Sequence, residues 1–428
     1  VVDFPNSALL QSSQQSPGLL SLGHQRTSRD LLVGHVRRGS GVRQASHGGD
    51  QAHDNTVEFG FAFGASTPTA ELPLTPSVER LPPSRSSRNT AKETEMLAAQ
   101  LDLGTGVFGV NEVPIPDPQP GWVRVKVRAC GVCLTDLHML KGELRGIHRQ
   151  DGLLTLGHEI AGEVDLLGEG VDTWRQGDRV AIALLHYKDG GEFTVGVDFD
   201  GGWAEYVVVP ASTLVAIPDS LPFDVAAIVP DAVSTPWAAI TETAAVRPGE
   251  SVAVWGVGGV GTHAVQILRF VGAAPIIAVD PLPEARDRAL RLGADFVIDP
   301  CAEDAVEKIK SLTGGTGVNV AFDFVGTSSI ELQLLAASAP FGRTIWVGAN
   351  SKPFTLDVPG ILLFFRQQIR GHYASGPAAV PDLLRLLGLG RLDFSTSISG
   401  RFPLSEISTA IEHLEYKVDN PVRLVVVP

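Results

Sequence analysis

Residues 251–280 read SVAVWGVGGVGTHAVQILRFVGAAPIIAVD, and the order of their parts decides the fold. The run 251–255 is short and apolar, as a strand buried on both faces must be. The turn Gly256-Val257-Gly258-Gly259-Val260-Gly261 follows at once. Beyond it Ala264, Leu268 and Val271 recur on one helical face, and 276–280 reads as the next strand. Gly256 permits the tight turn, Gly258 lets a pyrophosphate approach the backbone, and Gly261 lets helix and strand pack closely. The helix N-terminus adds free N–H donors and positive potential. Asp280 stands 19 positions beyond Gly261. There it can accept hydrogen bonds from both adenosine ribose hydroxyls and would repel a 2′-phosphate. The stretch predicts a dinucleotide site that takes NAD rather than NADP. A glycine-rich turn holding no nucleotide is the plainer alternative.

The alternation continues downstream. It predicts a helix over 284–292, strands over 296–298, 318–324 and 344–347, and a helix near 328–338. Strands alternating with helices imply a parallel sheet covered on both faces. Upstream the period changes. In 122–129, WVRVKVRA, Val123, Val125 and Val127 alternate with basic residues, so one face of a strand is buried. Short strands over 160–166, 178–183 and 204–209, punctuated by Gly, Pro and Asp, suggest a mostly antiparallel β domain. The end has mixed character, with an amphipathic stretch over 404–414 and a strand over 423–427. These patterns divide the chain into an extension (1–95), a β domain (96–233), a Rossmann domain (234–371) and a return to the β domain (372–428).

Composition narrows the function classes. The chain has 428 residues, is 44% apolar and 19% charged, and carries a net charge of −14. Nine Lys+Arg balance nine Asp+Glu in residues 1–95, so the whole excess belongs to residues 96–428. An acidic body is ill suited to polyanions, so no nucleic-acid partner is expected. No stretch reaches the roughly 18 apolar residues of a membrane span, so no membrane partner is expected. Three cysteines exclude a disulfide scaffold and fit a reducing, cytoplasmic compartment. Residues 1–95 hold no Cys, Trp, Tyr or Met and show little periodicity. They bury too little apolar surface to offset chain entropy, so a disordered extension is expected.

The chemistry concentrates in Cys130-Gly131-Val132-Cys133-Leu134-Thr135-Asp136-Leu137-His138 and then Gly157-His158-Glu159. These elements, with GDRV at 177–180, GGWAEYV at 201–207 and the glycine turn in the expected order, resemble the zinc-dependent alcohol dehydrogenases of the medium-chain dehydrogenase/reductase superfamily. The resemblance covers about residues 96–428. It implies a GroES-like, mostly antiparallel catalytic domain beside a doubly wound α/β Rossmann domain, and reversible hydride transfer between an alcohol and NAD. It implies Cys133 and His158 as ligands of a catalytic zinc, with Asp136 orienting the site. Thr135 would bond the substrate hydroxyl, His138 would pass the proton outward, and Glu159 would sit just behind the zinc. Backbone near Val325, Gly326, Val347, Gly348 and Ala349 would meet the nicotinamide, and Arg423 the pyrophosphate. Leu134 stands where some relatives have a basic phosphate contact.

Two departures qualify the resemblance. The family's third ligand is commonly a Cys; the matching stretch here begins at Asp231, which would supply a carboxylate instead. Many relatives also hold a structural zinc on four cysteines, but 181–203 contains none. One zinc per chain is therefore expected. The pair Cys130 and Cys133 would alternatively be half a zinc knuckle or a redox couple, but no partner CxxC exists. Cys301 reads as an inert buried thiol, and Trp203, Trp237, Phe364 and Phe365 as pocket lining or core. The competing functions are a zinc-free enone or quinone reductase on the same fold and a non-catalytic nucleotide binder. The partners implied are a small alcohol or carbonyl substrate and further copies of the chain, as a dimer or tetramer.

Overall fold

The computed structural model describes residues 94–428 apart from Asp189, Ser351, Asp357 and Val358. The expected disordered extension lies outside the described residues, save that Glu95 already opens the first strand. The first half contains β1 (Glu95–Asp102), β2 (Phe108–Pro114), β3 (Trp122–Val132), α1 (Leu134–Leu140), β4 (Leu153–Thr155), β5 (Ile160–Leu167) and β6 (Arg179–Ile182). It continues with β7 (Leu185–Lys188), β8 (Gly191–Thr194), β9 (Tyr206–Pro210), β10 (Leu214–Ala216) and α2 (Phe223–Ala227). A π-helical turn, Val229–Val233, leads into α3 (Ser234–Ala238). The second half alternates β11 (Val252–Trp255), α4 (Gly261–Val271), β12 (Ile276–Val279), α5 (Pro283–Leu292), β13 (Phe296–Ile298) and α6 (Ala305–Leu312). It goes on with β14 (Val318–Asp323), α7 (Ser328–Ala337), β15 (Ser338–Trp346), α8 (Gly360–Phe365) and β16 (Gln368–Gly371). The end adds α9 (Ala379–Gly388), β17 (Ile398–Pro403), α10 (Ile407–Glu415) and β18 (Arg423–Val427).

The larger sheet of the first half runs β10-β6-β5-β3-β18-β17, with β9 also on β3. Its strands are antiparallel except for the pair β17 and β18. In β3 the valines 123, 125 and 127 are buried while Arg124, Lys126 and Arg128 are not, as the period of two requires. Strand β18 lies against the end of β3, pairing Val425 with Gly131. The chain's last strand therefore backs the Cys130–Cys133 segment.

The second half is the all-parallel sheet β13-β12-β11-β14-β15-β16. Order reverses between β11 and β14, the switch point at whose carboxyl edge ligands of such sheets bind. Helix α4 starts there at Gly261 and buries Ala264, Val265, Ile267 and Leu268 against the sheet. Val271 is only half-buried, because the helix ends beside it at Gly272, with φ 84°.

Leu383, Leu384 and Leu387 of α9, with Phe394, pack into a core shared by both halves, which holds Ala129 and Ala161 beside Val254 and Ile267, while β17 and β18 join the larger sheet of the first half. One expectation changes. Cys301 is exposed rather than buried, because β13 ends at Ile298 and the chain turns outward after it.

Candidate metal centre and cofactor turn

Cys133 caps the N-terminus of α1, and Asp136 is the third residue of that helix. The Cys133 backbone N–H donates to Asp136 Oδ2 at 3.0 Å, so a local capping bond fixes the carboxylate. Asp136 Oδ1 lies 3.2 Å from His158 Nδ1 and accepts the Gly157 N–H at 3.3 Å. The imidazole is thereby aimed with Nε2 outward. Gly157 has φ 91°, and a Cβ there would lie 2.4 Å from the Trp203 ring and 2.8 Å from Cys130 Sγ. Only glycine lets the segment turn over that tryptophan. Trp203 is fully buried and donates its indole N–H to the Gly131 carbonyl at 3.1 Å.

Asp231 arrives from the π-helical turn Val229–Val233, a geometry that often re-aims a side chain at a functional site. Its Oδ2 lies 3.5 Å from Cys133 Sγ and 3.4 Å from His158 Nε2. Glu159 joins them, all four donor atoms lying within 4.8 Å of one another. Donors at zinc bond lengths around a tetrahedron stand about 3.3–3.8 Å apart. One sulfur, one ring nitrogen and one carboxylate oxygen at these spacings fit a zinc ion, with the Glu159 carboxylate within reach as a further donor.

The electrostatics distinguish the two neighbouring cysteines. Burial, with Asp136 adding to it, pushes the Cys130 thiol well above its ordinary value. Burial would do the same to Cys133, but Arg423 and His158 outweigh it and hold that thiol below its ordinary value. Asp231 is likewise held low against burial by His158 and Arg423. The His158 imidazole is raised, Asp136 and Asp231 overcoming desolvation. The two thiols are thus shifted in opposite directions, Cys133 towards the thiolate and Cys130 away from it.

Glu159 is fully buried, and burial pushes its carboxyl well up against the pull of Arg423. Arg423 Nη2 stands 3.2 Å from Glu159 Oε1. The same guanidinium lies about as close to the glycine turn, 3.4–3.5 Å from where a Gly259 Cβ would be. Arg423 therefore touches both the metal cluster and the cofactor turn, whereas sequence alone placed it only on the pyrophosphate. Thr135 Oγ1 lies 3.7 Å from Cys133 Sγ. His138 is part-exposed at the last turn of α1, its Nδ1 2.6 Å from Glu143 Oε2. No hydrogen bond joins it to Thr135 among the described residues.

In the turn, Gly256 has φ 84°, and a Cβ on Gly261 would lie 1.9 Å from the Gly256 carbonyl oxygen. Gly258 faces open space, and Val260 caps α4. Asp280 is buried at the end of β12; its Oδ2 accepts the Val257 N–H at 2.8 Å and its Oδ1 the Leu282 N–H at 2.9 Å. Val325 stands beside Gly256, and Gly348 packs against the Val325–Gly326 backbone. Arg288, unmarked in the sequence, donates to the Val257 carbonyl at 2.9 Å and the Asn420 carbonyl at 3.3 Å. Trp203, Trp237, Phe364 and Phe365 do not line one pocket: Trp203 is core, Trp237 packs beside Phe270, and both phenylalanines are exposed.

Residues 119–219 match the family model described as alcohol dehydrogenase GroES-like domain, and residues 259–388 that of zinc-binding dehydrogenase. L-threonine 3-dehydrogenase of Pyrococcus horikoshii is 34% identical over 276 residues, 61% of this chain and 78% of that protein. The chain belongs to the zinc-dependent alcohol dehydrogenases of the medium-chain dehydrogenase/reductase superfamily. Among solved structures, 2R,3R-butanediol dehydrogenase from Bacillus subtilis superposes on the dehydrogenase with a TM-score of 0.71 at 27% identity, over 78% of this chain and 99% of that one. A putative zinc-binding dehydrogenase from Sinorhizobium meliloti, bound to NADP, gives the same TM-score and identity over 78% of this chain and all of that one. The dehydrogenase is an oxidoreductase that interconverts alcohols and carbonyls with zinc and a nicotinamide cofactor. No helix among its described residues is long and apolar enough to cross a membrane.

Proposed function

We propose that this dehydrogenase holds one zinc ion per chain on Cys133, His158 and Asp231 and uses NAD to interconvert a small secondary alcohol and its ketone. The observation that carries the reading is the convergence of those three donor atoms, with Asp231 Oδ2 within 3.5 Å of both partners. Only Cys130, Cys133 and Cys301 are present, so a four-thiolate site cannot be built within one chain. Relatives named for butanediol, threonine and sorbitol support a secondary alcohol. NAD is supported by Asp280, a carboxylate just after β12 that accepts the Val257 N–H of the glycine turn and would repel a 2′-phosphate.

When bound, zinc would lower the pKa of the alcohol hydroxyl, and the nicotinamide would supply the hydride chemistry. The chain's residues do the rest. Asp136 locks the His158 ring. Thr135, beside Cys133, would bond the alcohol hydroxyl, and half-exposed His138, which no direct hydrogen bond joins to Thr135 among the described residues, would take the proton to solvent through a bridging group. Glu159, paired with Arg423, sits behind the ligands. The Gly256–Gly261 backbone and the α4 N-terminus take the pyrophosphate, with Arg423 adding charge. Backbone at Val325 and Gly348, which pack together beside the glycine turn, would hold the nicotinamide. The open edge of β16 and the exposed Leu363 and Phe364 of α8 support a homo-oligomer, a dimer or tetramer. Three free thiols support a cytoplasmic setting.

The test is metal analysis together with an alcohol panel, run with NAD and NADP and with and without a chelator. One zinc per chain and NAD-linked, chelator-sensitive oxidation of secondary alcohols are expected. Activity that survives complete metal removal would favour a zinc-free enone or quinone reductase.

A further inference from the structure

We propose that Thr235 is a positioning residue for the Asp231 ligand: its hydroxyl engages Asp231 Oδ1 and so limits the carboxylate to a single oxygen, Oδ2, at the metal. The proposal rests on the metal-site reading above.

The two oxygens of Asp231 have separate partners. Thr235 Oγ1 donates to Oδ1 at 3.0 Å, while Oδ2 faces Cys133 Sγ and His158 Nε2. A carboxylate free to rotate can bind a metal through both oxygens and would then take the position the alcohol needs. A hydroxyl proton on one oxygen opposes that rotation.

Helical Ser and Thr hydroxyls commonly bond the carbonyl four residues back. Ser234 does so to Pro230 at 2.6 Å, and Thr241 to Trp237 at 2.8 Å. Thr235 instead gives its proton to a side chain. Its own carbonyl lies 2.9 Å from His372 Nε2. A carbonyl only accepts, so Nε2 carries the proton, and Nδ1 then accepts from the Thr243 hydroxyl at 2.8 Å. Burial holds the His372 imidazole below its ordinary value, in keeping with that neutral tautomer. His372 directly follows β16, and its N–H bonds the Trp346 carbonyl of β15 at 2.9 Å. Thr235 is therefore braced against the far strands of the cofactor sheet, and the ligand carboxylate takes its orientation from both halves of the molecule.

The experiment is cobalt(II) titration of the metal-stripped full chain, read as affinity against a chromophoric chelator and as the visible absorption of the bound cobalt. Thr235→Val should weaken cobalt binding about 10–100-fold and lower the visible band as coordination rises above four. Thr235→Ser, which keeps the hydroxyl, should stay close to the parent in both readouts. If valine prevents folding, Thr235→Ala carries the same expectation. A valine or alanine variant with the parent's affinity and spectrum overturns the proposal while leaving the metal site standing. A parent chain that binds no cobalt, or an Asp231→Ala variant that binds it as the parent does, removes the metal-site reading and the proposal with it.

Discussion

At Cys130 and Cys133 two thiols of one motif take opposite states within three residues. Cys130 turns into the core beside Trp203 and Gly157, where desolvation keeps it protonated. Cys133 caps a helix among cationic neighbours, where the thiolate is favoured. Cys130→Ala should therefore retain stoichiometric zinc at a stability cost of about 1 kcal/mol, whereas Cys133→Ala should lose the metal; zinc analysis of purified variants checks both. His263 offers a pH test away from the site. It is fully buried, and desolvation, reinforced by Arg423, lowers its imidazole to about 3. An unfolded histidine titrates near ~6.5, so below that pH the unfolded chain binds the proton and the folded chain does not. Its contribution is complete above pH ~6.5 and is lost as pH falls towards about 3, by up to ~1.4 kcal/mol per unit. Urea unfolding at pH 7.5 and 5.0 should show a shallower acid loss in His263→Gln than in the parent. An equal loss in both would remove His263 from the account. The clustering of Cys133, Asp136 and His158 was legible because they lie within one short motif pair. The reach of Arg423 to Glu159 was not, since the two stand 264 positions apart and meet only because β18 pairs with β3.

Among the elements, the glycine turn separates two kinds of constraint that one motif conceals. Gly261 is needed by the protein itself, because a Cβ there would sit 1.9 Å from the Gly256 carbonyl oxygen. Gly258 has no neighbour within 4 Å, so only a ligand would object to a side chain there. Gly261→Ala should cost about 1–3 kcal/mol or more of stability and also impair cofactor binding. Gly258→Ala should leave the melting temperature unchanged while weakening NADH by about tenfold or more, equivalent to ~1.4 kcal/mol. Calorimetric melting and NADH fluorescence titration measure the two effects separately. A Gly258→Ala chain that binds NADH like the parent would place the pyrophosphate elsewhere. The elements themselves were largely legible. β13 and β18 fall on the expected residues, and β3, α4 and α5 fall near them, because their hydrophobic periods are strong. Strand β15 begins at Ser338 rather than near 344, since it leaves α7 without a loop and pairs with β14 across a register shift. The π-turn carrying Asp231 had no periodic signal, because one extra residue per turn leaves the apolar composition unchanged.

Across the whole molecule, Arg423 joins parts that the sequence keeps separate. It sits on the last strand, pairs with Glu159 behind the metal ligands, and lies against Gly259 in the cofactor turn. Both members of the pair are almost wholly buried. Replacing the cation by an apolar chain takes from the buried Glu159 carboxyl the main cation that opposes its desolvation, and breaking such a pair costs about 3–5 kcal/mol. Arg423→Met should therefore destabilise the chain by about that amount. Removing the buried carboxyl as well should return much of the loss, so Glu159→Gln with Arg423→Met should be more stable than Arg423→Met alone. Cofactor binding separates the two attachments of Arg423. The double variant should recover stability without recovering NADH affinity, because only the arginine reaches the glycine turn. Urea unfolding and NADH titration on the four chains of the cycle measure both quantities. If Arg423→Met costs less than about 1 kcal/mol, the pair is not what fastens the last strand to the site. If the double variant binds NADH like the parent, the guanidinium belongs to the metal centre alone.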